Sequence, residues 1–204
     1  MRVVGLCGGS GSGKGSAGKC FARRGYPVLD TDLLYRGMIG APGRCVDALT
    51  DAFGVGILNG CGGVDRRALS ALVFGDRDKL ALLNAVTHPL ILEECRAWVK
   101  RQEAAGAHLA ILDAPLLFES HLNEECDSVI AVVADEPVRL ARIMQRDGIT
   151  QEFARARIAA QMTNEFLIAH ADYVIYNNGS ESVLDTQVAK LCLLLDPGRE
   201  YTDR

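Results

Sequence analysis

Close to the start of the chain, Gly8-Gly9-Ser10-Gly11-Ser12-Gly13-Lys14-Gly15-Ser16 carries the spacing of a loop that wraps phosphate oxygens. Gly8, four residues, then Gly13-Lys14 fits G-x-x-x-x-G-K-[ST] up to its last position, which here is Gly15. Glycines let successive backbone N–H groups turn inward, and a helix starting at the loop adds its positive end. Gly11, Ser12, Gly13, Lys14, Gly15 and Ser16 are therefore the expected nucleotide-phosphate set, with Lys14, an exposed loop charge, reaching the β- and γ-phosphates. A Ser or Thr at position 15 would normally hold Mg²⁺. Ser16, one residue later, is the nearest substitute.

Other residues have types suited to the same chemistry. Asp30-Thr31-Asp32 follows an apolar run, and a carboxylate there can orient an acceptor hydroxyl toward a γ-phosphate and take its proton late. Asp30 or Thr31 can equally cap a helix. Asp113 ends Leu109-Ala110-Ile111-Leu112 and stands where an acid supports Mg²⁺ through water; Ala114-Pro115-Leu116-Leu117-Phe118-Glu119 follows it. Arg142 and Arg146 are four apart on one helical face and can close together over phosphates as part of a lid at about 142–165. His88 precedes Pro89; His108, His121 and His170 make no metal spacing with it. Arg66 can meet an anionic substrate or simply pair with Asp65.

These groups need a scaffold. Arg2 to Cys7, Pro27 to Leu29, Leu109 to Leu112, Val129 to Val133 and Tyr173 to Tyr176 are apolar runs without alternation, as strands buried on both faces should be. Ala17 to Arg24 reads as a helix ended by Gly25. Leu184, Val188, Leu191 and Leu195 form one helical stripe. Ile91, Cys95 and Trp98 form another, in a helix expected to begin with Pro89 at its first position. The reading is α/β: a five-stranded parallel sheet wrapped by helices. Residues from about 33 to 107, with the turn Asn59-Gly60-Cys61-Gly62-Gly63, are too long for an ordinary connection and suggest a helical cap.

With 204 residues and 49% hydrophobic content, the chain can bury the core of one domain carrying such an insertion. A net charge of -4 argues against a nucleic-acid partner. No apolar run reaches membrane-spanning length, and Met1 leads straight into the first strand, so a cytoplasmic protein is expected without a membrane partner. The seven cysteines are scattered, an odd count that suits reduced thiols. Cys7, beside the loop, is a candidate alkylation site. The polar tail Arg199 to Arg204 is expected to be disordered.

Taken in order, these pieces resemble the dephospho-CoA kinase family from Val3 to about Leu195. The phosphate loop is common to many kinases. Its combination with Val28-Leu29-Asp30-Thr31-Asp32, Asp65-Arg66, His88-Pro89, Pro115-Leu116-Leu117-Phe118-Glu119, Arg142 to Asp147, Gln161 and Ala171-Asp172-Tyr173-Val174-Ile175 with Asn177 is far more specific. The resemblance implies a three-layer P-loop NTPase fold with a helical substrate-binding cap and lid. It also implies transfer of phosphate from ATP, with Mg²⁺, to the 3′-hydroxyl of dephospho-CoA. By the same resemblance Lys14, Asp32 and Arg142 are catalytic; Arg146 and Asn177 join the loop in binding ATP. Asp32, Arg66, His88, Pro115 and Leu116 shape the acceptor site, and Ser16 and Asp113 support the metal through water. The expected assembly is a monomer or small homo-oligomer. Two positions depart from the family pattern: Gly15-Ser16 replaces Ser-Thr, and Leu167 stands near a usual Lys or Arg. A kinase for another small hydroxyl or nucleotide acceptor, and an ATP-binding regulator, are the alternative readings.

Overall fold

The computed structural model describes residues 1–198, so the tail from Arg199 lies outside the described residues. Contacts divide the chain into two units, Met1–Leu29 with the chain from Val99 onward, and Asp30–Trp98.

The first unit is built on a five-stranded parallel sheet of β1 (Arg2–Cys7), β2 (Val28–Asp30), β3 (Leu109–Asp113), β4 (Ser128–Val133) and β5 (Tyr173–Tyr176), ordered β2-β3-β1-β4-β5. Every residue of β3, and all of β4 after Ser128, is buried, which is why these strands read as unbroken apolar runs. On one face, α1 (Lys14–Arg23) and α9 (Glu181–Leu195) bring Phe21, Leu184, Val188 and Leu191 onto Val4, Leu6, Ile111 and Ile130. Burying each such side chain contributes about 1.5–3 kcal/mol. Gly5 makes room for the other face: a Cβ there would lie 2.9 Å from Leu117 Cδ2. That face is followed by α6 (Glu136–Asp147), α7 (Gln151–Ala159) and α8 (Asn164–His170), and Leu140 and Ile143 of α6 pack on Ala154 of α7.

Helix α1 begins earlier than the sequence reading placed it. Its N-cap is Gly13, in the left-handed region at φ 92°, and no side chain caps it. A start signal sought among Ser, Thr, Asp and Asn misses such a helix, because here the loop backbone makes the turn.

The second unit holds α2 (Thr31–Gly40), α3 (Arg44–Phe53), α4 (Arg66–Val73) and most of α5 (Arg77–Ala104), around Ile39, Leu49, Ile57, Val64 and Leu69. In the Asn59–Gly63 turn, Asn59 Oδ1 accepts from the backbone N–H of Cys61 and Gly63 at 2.9 and 3.1 Å. Pro89 does not open a helix, contrary to the expectation above: it lies inside α5. The start of α5 is set by Asp76, whose Oδ1 accepts from Lys79 N at 3.0 Å. Proline in the helix interior forfeits the bond to the carbonyl of Ala85. The stripe Leu83, Val86 and Leu90, packed on the second core, offsets that loss.

Candidate active site

The register of the sheet delivers the chemistry to one edge. Leu6 of β1 pairs with Asp113 of β3, and Ala114 N donates to Leu6 O at 3.0 Å. The chain leaves β1 into the glycine loop and leaves β3 at Asp113, so both emerge at the carboxyl edge, where parallel α/β sheets bind ligands.

The loop is folded by its own backbone and then held from outside. Ser12 N donates to Gly9 O, and Ser16 N and Ala17 N both donate to Gly13 O, each at 3.0 Å. Gly13 is required twice, by its positive φ and because a Cβ would overlap Asn177 Nδ2. From the end of β5, buried Asn177 donates Nδ2 to Ser12 O at 2.7 Å. Arg142 Nη1 donates to Asn177 O at 2.9 Å and to Gly11 O at 3.3 Å. Both side chains thus grip the carbonyl side of the loop, leaving the N–H groups of Gly11, Gly13, Lys14 and Gly15 for an anion.

Lys14, the first residue of α1, is ion-paired with the buried carboxylate of Asp113. It is not the exposed loop charge expected from sequence, because its side chain is 16% accessible. Ser12 is fully buried, and its hydroxyl has no hydrogen-bond partner among the described residues. Gly15 and Ser16 are exposed on the first turn of α1, and a Cβ on Gly15 would meet nothing within 4 Å.

Arg142 and Arg146 part company. Arg146 forks onto neighbouring Asp147 through Nε and Nη2 at 2.7 and 2.8 Å, and Arg157 pairs with the same carboxylate. The Arg146 guanidinium holds Asp147 well below the usual carboxylate range, at about 2. Pro115 and Leu116 sit in the turn after β3. With Gly8, Gly9, Leu117, Gln161 and Leu167 they line a cavity of about 50 Å³. Leu167, where the family pattern expects a cation, is buried.

Cys7 is not an alkylation site: it is 1% exposed, and burial pushes its thiol up to about 12.

Asp32, Arg66 and His88 belong to the second unit. Asp30 is the N-cap of α2, its Oδ1 accepting from Leu33 N at 3.0 Å, so Asp32 stands exposed in the first turn with no capping duty. Asp65 caps α4 through the N–H groups of Arg67 and Ala68, and Arg66 opens that helix exposed. His88 is half-buried within α5.

Sequence reading passed over Arg139. It is buried in α6 and donates Nε to Ser10 O at 2.9 Å. An arginine on a charged helix looks solvated in sequence; the only hint was an apolar neighbour on either side, Val138 and Leu140.

A family model described as dephospho-CoA kinase matches residues 2–182. The chain belongs to the dephospho-CoA kinase family. It is 39% identical to the dephospho-CoA kinase of Syntrophotalea carbinolica over 204 residues, covering all of this chain and 96% of that one. The dephospho-CoA kinase of Carboxydothermus hydrogenoformans is 37% identical over 180 residues, 88% of this chain and 87% of the relative. Among solved structures, TT1252 from Thermus thermophilus matches with a TM-score of 0.78 at 33% identity, over 95% of this chain and 96% of that one. A shikimate kinase from Acinetobacter baumannii, at 14% identity and a TM-score of 0.56 over 98% and 96% of the two chains, shares the fold alone. The chain is accordingly a P-loop kinase of the last step of coenzyme A biosynthesis, and a kinase drawing on ATP needs a divalent metal.

The residues present fit such an ion. Asp113 and Ser16 are hard oxygen donors, and the open space at Gly15 admits water. Among the described residues no three or more His, Cys, Asp or Glu gather as a metal cage, so the ion would rely on phosphate oxygens and water. No helix among the described residues is long and apolar enough to cross a membrane.

Proposed function

We propose that this chain transfers the γ-phosphoryl group of ATP to the ribose 3′-hydroxyl of dephospho-CoA at the loop anchored by Lys14, with Mg²⁺ as the metal. The carrying observation is the loop itself, closed by Asn177 and Arg142 on its carbonyl side and paired to Asp113 through Lys14. Inward N–H groups of Gly11, Gly13, Lys14 and Gly15 bind phosphate oxygens, those of Ser12 and Ser16 being taken by the loop's own carbonyls. Lys14 exchanges part of its pairing with Asp113 for the β- and γ-phosphates, and Asp113 with Ser16 supports Mg²⁺ through water. When bound, Mg²⁺ neutralises charge on the transferring group.

Asp32, exposed and free of capping, orients the acceptor hydroxyl and takes its proton. Arg66, His88, Pro115 and Leu116 bind the acceptor. Arg142 keeps the loop in shape and turns its remaining N–H groups to the nucleotide, while Arg146 joins the ATP site by leaving Asp147 as the segment at about 142–165 closes. The region at about 33–107 serves as the acceptor cap. We assign the protein to the cytoplasm as a monomer or small homo-oligomer.

The test is incubation of purified protein with Mg-ATP and dephospho-CoA, AMP or shikimate in parallel, with products identified by mass. Dephospho-CoA should gain one phosphate fastest. Faster phosphorylation of another acceptor, or ATP binding without transfer to any, overturns the reading.

A further inference from the structure

The loop meets two side chains at Ser10 that the phosphate chemistry does not explain. Ser10 N donates to Gln161 Oε1 at 2.8 Å, and Ser10 O accepts from Arg139 Nε at 2.9 Å. Both backbone groups of one loop residue are therefore held by side chains, one from α6 and one from just past α7. The two holders also meet: Arg139 Nη2 donates to Gln161 Oε1 at 3.4 Å, and Nη1 to Asn164 Oδ1 at 3.4 Å. Asn164 is fixed in turn by its Nδ2 bond to Ala134 O at 2.9 Å.

Arg139 is 3% exposed. Its partners are a carbonyl and two amide oxygens, and among the described residues no carboxylate lies within ion-pair distance. Glu136, one turn earlier, acts on it only at a distance and is paired with Arg155 at 3.7 Å. Burial accordingly lowers the guanidinium's hold on its proton. A buried cation is ordinarily paired, since the attraction of a partner offsets lost hydration. This one lies against the loop: a Cβ at Gly11 would come within 2.6 Å of Arg139 O, and one at Gly9 would overlap Nη2.

We infer that Arg139 is a positioning residue for the phosphate loop, held by Gln161 and Asn164 as a buried positive charge whose counter-ion is the bound polyphosphate. It fixes the Ser10 peptide, and its uncompensated charge biases the loop toward an anion. The arrangement weakens the empty protein and strengthens the loaded one. Gln161 keeps the charge uncompensated because it offers a neutral acceptor where a glutamate would fit equally well. The inference rests on the loop being the phosphate site.

Gln161→Glu and Arg139→Gln separate this role from plain packing. The first keeps an acceptor for Ser10 and Arg139 but adds a counter-charge; the second removes the charge and keeps a donor. Thermal midpoints would be taken without ligand and across a titration of inorganic tripolyphosphate, together with KM for ATP and kcat. Gln161→Glu should raise the ligand-free midpoint, weaken tripolyphosphate about tenfold or more, and raise KM for ATP far more than it changes kcat. Arg139→Gln should weaken tripolyphosphate similarly, and Arg139→Lys should restore part of the affinity. If Gln161→Glu binds tripolyphosphate as the parent does, or lowers the ligand-free midpoint, the inference fails while the phosphate site stands. If the parent itself gains no stability from tripolyphosphate, both fall.

Discussion

Lys14 and Asp113 form an ion pair between the first residue of α1 and the last of β3, with the aspartate side chain 5% exposed. The residue that should reach ATP is thus also the partner of a buried carboxylate.

Replacing Lys14 therefore has two effects. Lys14→Ala should lower turnover by at least about 10²-fold, the scale of a lost electrostatic donor. It should also destabilise the fold by about 3 kcal/mol, because Asp113 is left buried without its cation. The double variant Lys14→Ala, Asp113→Asn should recover much of the stability and none of the activity, as read by urea unfolding and product assay.

Asp32 offers the opposite pattern. Since it is exposed and Asp30 does the capping, Asp32→Asn should leave the unfolding midpoint and ATP affinity near those of the parent. Turnover should drop about 10²-fold or more. Full activity in this variant would remove the assigned role.

Two loop glycines two residues apart should respond in opposite directions to alanine. Gly13→Ala forces a side chain into the left-handed region and onto Asn177 Nδ2, and should cost about 2 kcal/mol or more. Gly15→Ala sits in open space on helix α1 and should gain up to about 1 kcal/mol. Chemical denaturation of both proteins checks the contrast.

A serine at position 15 also tests the metal. Gly15→Ser meets no obstacle, and it adds the hydroxyl that a phosphate loop usually offers to Mg²⁺. The Mg²⁺ concentration for half-maximal turnover should fall, and so should the concentration needed to stabilise the ATP-bound protein against heat. An unchanged requirement in both would mean that water already serves as well.

Thiol chemistry should ignore Cys7. At pH 8, iodoacetamide should label exposed Cys61 and spare Cys7 in the native protein, as peptide mass mapping would show. The same shift links stability to pH. In the unfolded chain this thiol ionises near its ordinary 9.0, whereas in the fold it keeps its proton to about 12. Its contribution to stability is complete below pH 9 and declines as pH rises from there toward 12.

The parts legible in the sequence are those governed by local pattern. Val129 to Val133 could only be a doubly buried strand, and the stripe Leu184, Val188, Leu191, Leu195 is buried along its length. Gly13-Lys14 announced the loop. What stayed hidden depends on residues far apart in the chain. Arg139 carries only the faint hint of its apolar neighbours, because its partners Ser10 and Gln161 lie 129 and 22 residues away along the chain. Lys14 looked solvated because nothing near it in sequence shows that Asp113 comes alongside. Pro89 misled for a related reason: its preference for a helix start is local, and the packing of Leu83, Val86 and Leu90 outweighs it.

The position of β1 in the sheet bears on the order in which a ribosome can finish this protein. Val4 pairs with Ile111 on one side and Ser128 on the other, so the first strand made has no neighbour in the sheet until more than half of the chain has emerged. Its loop then awaits Arg139, Gln161 and, last, Asn177 to fix Ser10 and Ser12. ATP, abundant around the nascent chain, can therefore find its full set of contacts only near the end of translation, and its stabilising effect falls on the completed chain rather than on early fragments.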